Sequence, residues 1–80
     1  MTEKEEIIQA MTEFSEKMLT RMLEKYEAGH KGWKDSEKIS SRKLRNQIHT
    51  DLSKGRKEID IANRAMILWY RKEKKRNENI

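Results

Sequence analysis

Asp60 and Asn63 stand three residues apart in the run Glu58-Ile59-Asp60-Ile61-Ala62-Asn63-Arg64-Ala65-Met66, so on a helix they share one face with apolar neighbours. An acid at the edge of an apolar stripe costs free energy unless it is ion-paired, hydrogen-bonded or bound to a cation. Asp60 has candidate partners one turn away in Lys57 and Arg64, and Asn63 has the chemistry to bridge two helices. A magnesium site needs two or more carboxylates converging with a substrate's phosphates, and one Asp does not make one. The second cluster is Gly29-His30-Lys31-Gly32-Trp33-Lys34-Asp35. Trp33, flanked by Lys31 and Lys34, reads either as an indole closing the end of a helical bundle or as a platform for a base or sugar beside two cations. The Gly29/Gly32 spacing fits neither a P-loop nor a dinucleotide loop. His30 and His49 are the only histidines; His49/Asp51 is a weak pair that a helix points apart, and no Ser/His/Asp set emerges. A chain without Cys has neither disulfide nor thiolate metal site.

The elements that must position these groups are helical. Thr2 followed by Glu5 has the spacing of a capping box, which starts a first helix at residue 3. Ile7, Met11, Phe14, Met18 and Met22, joined by Ile8, Leu19, Leu23 and Tyr26, recur at three- and four-residue steps and form one broad apolar face. A helix from residue 3 to residue 28 is roughly 39 Å long, too long for one short neighbour to cover. Gly29 suits a left-handed C-cap, and Ser40 or Ser41 suits an N-cap. A second helix then carries Leu44, Ile48 and Leu52 in a narrow stripe, which predicts the most exposed of three helices. Gly55 breaks the pattern. The third helix is expected from Arg56, with Ile59, Ala62, Ala65, Met66 and Trp69 on one face, widened by Ile61, Leu68 and Tyr70. Residues 1–72 form one all-α domain, and 73–80 read as a polar, basic tail that frays.

With 80 residues, 41% charged and 34% hydrophobic, the chain has room for one small core, and such cores supply roughly 3–5 kcal/mol without a staple or partner. Homodimerisation, with the long helices side by side, is the expected remedy. No apolar run reaches the 18 or more residues that span a bilayer, and the Lys/Glu-rich start is not a signal peptide; a reducing, cytoplasmic setting is expected. Residues 1–28 hold seven acids and four bases, whereas residues 29–80 hold seven acids and fifteen bases. The basic part could attract nucleic acid, nucleotide phosphates or an anionic surface.

The order of these segments, with Gly-Trp-Lys-Asp in the turn and Asp-x-Ala-Asn on the third helix, resembles the MazG-like all-α nucleoside triphosphate pyrophosphohydrolases over roughly residues 8–70. The resemblance implies cleavage between the α- and β-phosphates, with magnesium held by a Glu-x-x-Glu pair on one helix and a Glu-x-x-Asp pair on the next. Asp60 matches the last of those acids and Asn63 the amide that often follows it. The other three acids are missing: Lys57 stands in place of one Glu, and the second helix offers Asn46, Gln47, His49 and Thr50. That helix and its turn also look about two turns short.

A single carboxylate among Arg56, Lys57 and Arg64 cannot assemble the metal cluster through which such catalysis works. The expectation is a catalytically inactive nucleotide-binding or regulatory protein, with Lys31, Trp33, Lys34 and Asn63 as a remnant pocket and Asp60 as a remnant metal-binding acid. A basic nucleic-acid-binding or protein-interaction module is the alternative. So is an active magnesium-dependent enzyme whose missing carboxylates come from a partner chain.

Overall fold

A computed structural model of the chain describes residues 1–35 and 37–78, with side chains through residue 74. Three helices follow one another, α1 (Glu3–Glu27), α2 (Ser41–Ser53) and α3 (Glu58–Glu78), and no strand occurs among the described residues. The chain is all-α.

Local signals explain the boundaries. The Thr2 hydroxyl accepts from the Glu5 N–H at 3.2 Å, and Glu5 turns its carboxylate onto that same hydroxyl at 3.0 Å instead of onto the cap amide. Glu3, Glu5 and Glu6 crowd the first turn, where the helix dipole favours negative charge. At the other end Gly29 takes φ +93°, while the Gly29 N–H donates to the Tyr26 carbonyl and the His30 N–H to that of Lys25; this paired pattern is a Schellman ending. α2 repeats the scheme: Ser40 accepts from the Lys43 N–H, and Gly55, at φ +64°, closes the helix through its bond to Leu52 with Arg56 bonded to Asp51.

α3 starts two residues later than expected. Lys57 holds φ +61°, a left-handed backbone that excludes it from the helix, so the first helical residue is Glu58. At its far end α3 runs to Glu78; residues 79–80, the last of the tail expected to fray, lie outside the described residues.

α3 is the central element. Both α1 and α2 pack on it, and among the described residues they do not pack on each other. Leu44, 4% exposed, and Ile67 are the buried apolar side chains, and Asp51 and Asn63 are buried beside them. α1 has no buried residue at all; only Met18, Met22 and Lys25 of its 25 residues are even half-covered. The most exposed helix is therefore α1 and not α2, because 13-residue α2 lies along α3 while α1 meets it only near its C-terminal half. The α2 stripe is also turned. Leu44 and Ile48 face inward, but Leu52 is exposed and Asp51 is buried in its place, drawn in by Arg64. On α3 the inward face carries Asn63 and Ile67, leaving Ala65 and Trp69 outside.

Lys57 stores local backbone strain, which for a non-glycine residue in this region costs of order 1 kcal/mol or more. Lys57→Gly is expected to raise the urea midpoint by the equivalent of roughly 0.5–1 kcal/mol. Lys57→Ala, still strained, gives no such gain; equal effects of the two would remove the strain.

Candidate functional site

A polar seam joins α1 to α3. The Asp60 carboxylate lies 3.2 Å from both Arg21 Nε and Lys25 Nζ, and Asn63 Nδ2 donates to the Met18 carbonyl at 3.1 Å. These partners sit 35 to 45 residues away on α1; the neighbouring Lys57 and Arg64 do not pair with Asp60. Arg64 instead donates from Nη1 to Asp51 Oδ2 at 2.6 Å, tying α3 to α2. Asn63 does bridge helices, and at 2% exposure it leaves its Oδ1 buried without a partner among the described residues.

Both acids are held in the ionised form. The hydrogen bond from Arg64 keeps the Asp51 carboxyl below its ordinary range against the opposing effect of burial, with further help from the charges of Lys57, Arg64 and Arg56. Burial pushes Asp60 upward, but the hydrogen bonds and charges of Arg21 and Lys25 together outweigh it and the net direction is down.

The turn is fixed to α3 by two devices. Trp33 packs edge-on against Tyr70, ring centroids 4.9 Å apart. Arg71 donates from Nη2 to the Trp33 carbonyl at 2.8 Å and from Nη1 to Ser41 Oγ at 3.1 Å, so a single guanidinium holds the turn, the start of α2 and α3 together.

Because α1 and α2 lean on α3 without touching, a cleft of about 860 Å³ opens between them. Leu19, Met22, Leu23 and Tyr26 form its α1 wall and Leu44 and Gln47 its α2 wall; Asn63, Met66, Ile67 and Tyr70 form the floor, with Trp33 closing one end. Lys25, His30, Lys43 and Arg64 reach it as cations or potential cations, and no acid lines it. Lys43, Gln47 and Arg64 also line an adjoining recess of about 290 Å³ with Asn46, Thr50, Asp51 and Lys57.

The sequence-predicted residues are divided by this geometry. Trp33 and Asn63 meet in the cleft. Lys31 lies over the Tyr26 ring, 4.9 Å from its centroid, and Lys34 is exposed; neither lines the cleft. Both histidines are exposed; His30 lines the cleft and His49 does not. The recess gathers Asn46, Gln47, Thr50 and Lys57, positions where the resemblance implies acids, while Asp60 faces α1. Magnesium does not fit these residues: the recess offers three cations and one carboxylate, already bonded to Arg64, and no group of three or more His, Cys, Asp or Glu converges among the described residues. Arg21, Lys25, Asp51 and Arg71 escaped the sequence reading as partners of the seam and the turn because the bonds that place them there span two elements; Arg21 also pairs within α1, with Glu24 at 3.6 Å. Comparison with protein-family models, with curated proteins and with solved structures finds no match.

Asp60 and Asp51 have folded-state pKa values below their ordinary ones, so their contribution is present above about pH 4 and is lost as pH falls through the lowered values. Asp60→Asn is expected to lower stability at neutral pH and to flatten the acid limb of a stability-versus-pH curve; an unchanged limb would show the seam to be energetically idle. At Asn63 the one bond made is set against one buried acceptor left unmade. Asn63→Leu should then shift stability by less than about 1 kcal/mol, whereas Asn63→Asp, burying a charge, should cost more than about 2 kcal/mol. Equal losses in urea titrations of the two variants would contradict this accounting.

Proposed function

We propose that this chain is a non-catalytic helix-docking module whose cleft receives an acidic amphipathic helix. The observation that carries it is the cleft itself: open, walled by Leu and Met side chains, and edged by Lys25, Lys43 and Arg64 with no acid on its lining. Helix-in-groove recognition uses such a surface, with apolar anchors at three- and four-residue steps seated in the groove. Flexible Met side chains such as Met22 and Met66 let the groove adapt to its occupant. Lys25 and Arg64 are already paired with Asp60 and Asp51, so Lys43, without an acid partner among the described residues, is the rim cation that selects for acids on the incoming helix. No described helix is long and apolar enough to cross a membrane, and a cysteine-free chain suits the reducing cytoplasm.

A second reading keeps the resemblance to MazG-like proteins in view. Trp33 and Asn63 share the cleft, and Lys43 and Arg64 connect it to the cationic recess, an arrangement that suits a nucleotide held by its base in the cleft and by its phosphates in the recess without metal. Asp60 then serves as a structural acid, engaged by Arg21 and Lys25. A basic surface of this kind also attracts nucleic acid, with affinity that falls steeply with salt.

Trp33 reports on the cleft in a Trp69→Phe background, Trp69 being exposed and outside it. Titration with acidic amphipathic helical peptides is expected to give a saturable shift in emission, weakened tenfold or so, about 1.4 kcal/mol, by Leu23→Asp in the exposed part of the wall. The same titration with nucleotides and EDTA separates the second reading. Silence toward every peptide from chains diluted until they are monomeric would overturn the docking module, and magnesium-dependent pyrophosphate release abolished by Asp60→Ala would replace both readings with an enzyme.

A further inference from the structure

The chain has too much surface for its mass. It exposes 6731 Å², whereas a compact monomer of 9.7 kDa exposes about 5,100 Å². Its radius of gyration is 14.7 Å against about 11.6 Å for a compact domain of this length. The excess of roughly 1,600 Å² is about twice what one partner contributes to a standard protein interface.

Much of the uncovered apolar surface lies along one line. Ile7, Met11 and Phe14 are 54%, 70% and 39% exposed. Their four- and three-residue spacing continues the row of Met18, Met22 and Lys25 through which α1 meets α3. One half of that row is used in folding the chain and the other half is left bare. Charge divides α1 in the same way. Residues 1–16 contain five Glu and one Lys, while residues 17–25 contain Lys17, Arg21 and Lys25 against Glu24 alone. The N-terminal half is thus an acidic amphipathic helix, the kind of occupant that the cleft fits.

We infer that the occupant of the cleft is the N-terminal half of α1 from a second copy of this chain, laid antiparallel, so that two copies fill each other's clefts about a two-fold axis. This rests on the cleft being a helix-docking groove and names its partner. A two-fold interface is self-complementary, each patch meeting its counterpart reciprocally. Ile7, Met11 and Phe14 of one copy cover Leu19, Leu23 and Tyr26 of the other. The Glu-rich half then lies beside the partner's Lys43, with Lys25 and Arg64 of the partner subunit, each already paired within its own copy, next to it. A parallel arrangement would set the five Glu of one copy against the same five of the other, and like charges at that range are destabilising.

The full chain in sedimentation equilibrium at micromolar concentration is expected to be a dimer, and Phe14→Lys a monomer that keeps its helical circular dichroism. Glu13→Lys combined with Glu16→Lys should weaken the dimer about tenfold at low salt and less at high salt, as expected for rim charges. Because the wild-type chain has no Cys, a mixture of Met11→Cys and Leu23→Cys chains reports orientation directly. Predominantly mixed disulfides are expected. A wild-type chain that remains monomeric into the submillimolar range overturns the inference, and so does a dimer that cross-links mainly Met11→Cys to Met11→Cys. In both of those cases binding of an acidic peptide to the Trp33 cleft is still read separately, so failure of the partner and failure of the groove are told apart.

Discussion

α1 is attached to the rest of the molecule through a polar seam, and nearly every other property of the structure depends on that mode of attachment. Asp60 sits between Arg21 and Lys25, and Asn63 holds the Met18 carbonyl. Arg21 and Lys25 remain partly in water, where an ion pair contributes little, typically no more than about 1 kcal/mol. Asn63 adds a bond but leaves an acceptor unmade. What such contacts provide is direction: they fix the rotation of α1 about its axis, so that Met18 and Met22 rest on α3 while Leu19, Leu23 and Tyr26 are turned into the cleft. Hydrophobic burial, the usual source of affinity between helices, is almost unused on α1.

The C-terminal side of the cleft is built differently. Trp33 stands against Tyr70, and the Arg71 fork takes the Trp33 carbonyl and the Ser41 hydroxyl. Bonds from a charged donor are stronger than neutral ones, and a planar guanidinium sets direction as well as distance. The turn is therefore fixed to α3 as well as to the end of α1. One wall and one end of the cleft are fixed by charged hydrogen bonds and a ring contact, while the α1 wall buries little apolar surface, and a groove of that kind admits a helix without first having to be unpacked.

The local chemistry of the fold was legible in the sequence, because caps act over three or four residues. Thr2, Gly29, Ser40 and Gly55 each end or begin a helix for reasons visible within one turn of chain. The facing of the helices was not, because it is decided by pairs far apart in sequence. Leu44, Ile48 and Leu52 form an apolar row, yet Arg64 draws Asp51 inward and turns Leu52 out. Lys57 looked like a helical neighbour for Asp60, and a left-handed backbone angle places it outside the helix. Asn63 could be assigned to a bridge, but its partner is a backbone carbonyl on α1, and no side-chain pattern announces a carbonyl. Trp33 and Asn63 belong to one cleft, whereas Lys31 and Lys34 looked equivalent to the residues that line it only because they flank Trp33 in sequence.

Asp60 shows how charge context decides the use of a residue. A carboxylate beside other carboxylates lowers its repulsion by binding a cation, which is the role that the resemblance to the pyrophosphohydrolases implies for an acid at this place. Here the groups within reach are a guanidinium and an ammonium, and they satisfy it outright. Moving Asp60 to magnesium would leave Lys25 unpaired and Arg21 with Glu24 alone beside the ion, so the change would lose two favourable interactions and add two repulsions. The same reversal of sign runs through the recess, where Lys43, Lys57 and Arg64 outnumber Asp51, and through the cleft, which has cations and no acid on its lining. A surface with that balance attracts carboxylates and phosphates. Among the carboxylates available to it, the Glu-rich start of α1 comes with its own apolar row, and each additional copy of the chain supplies both at once.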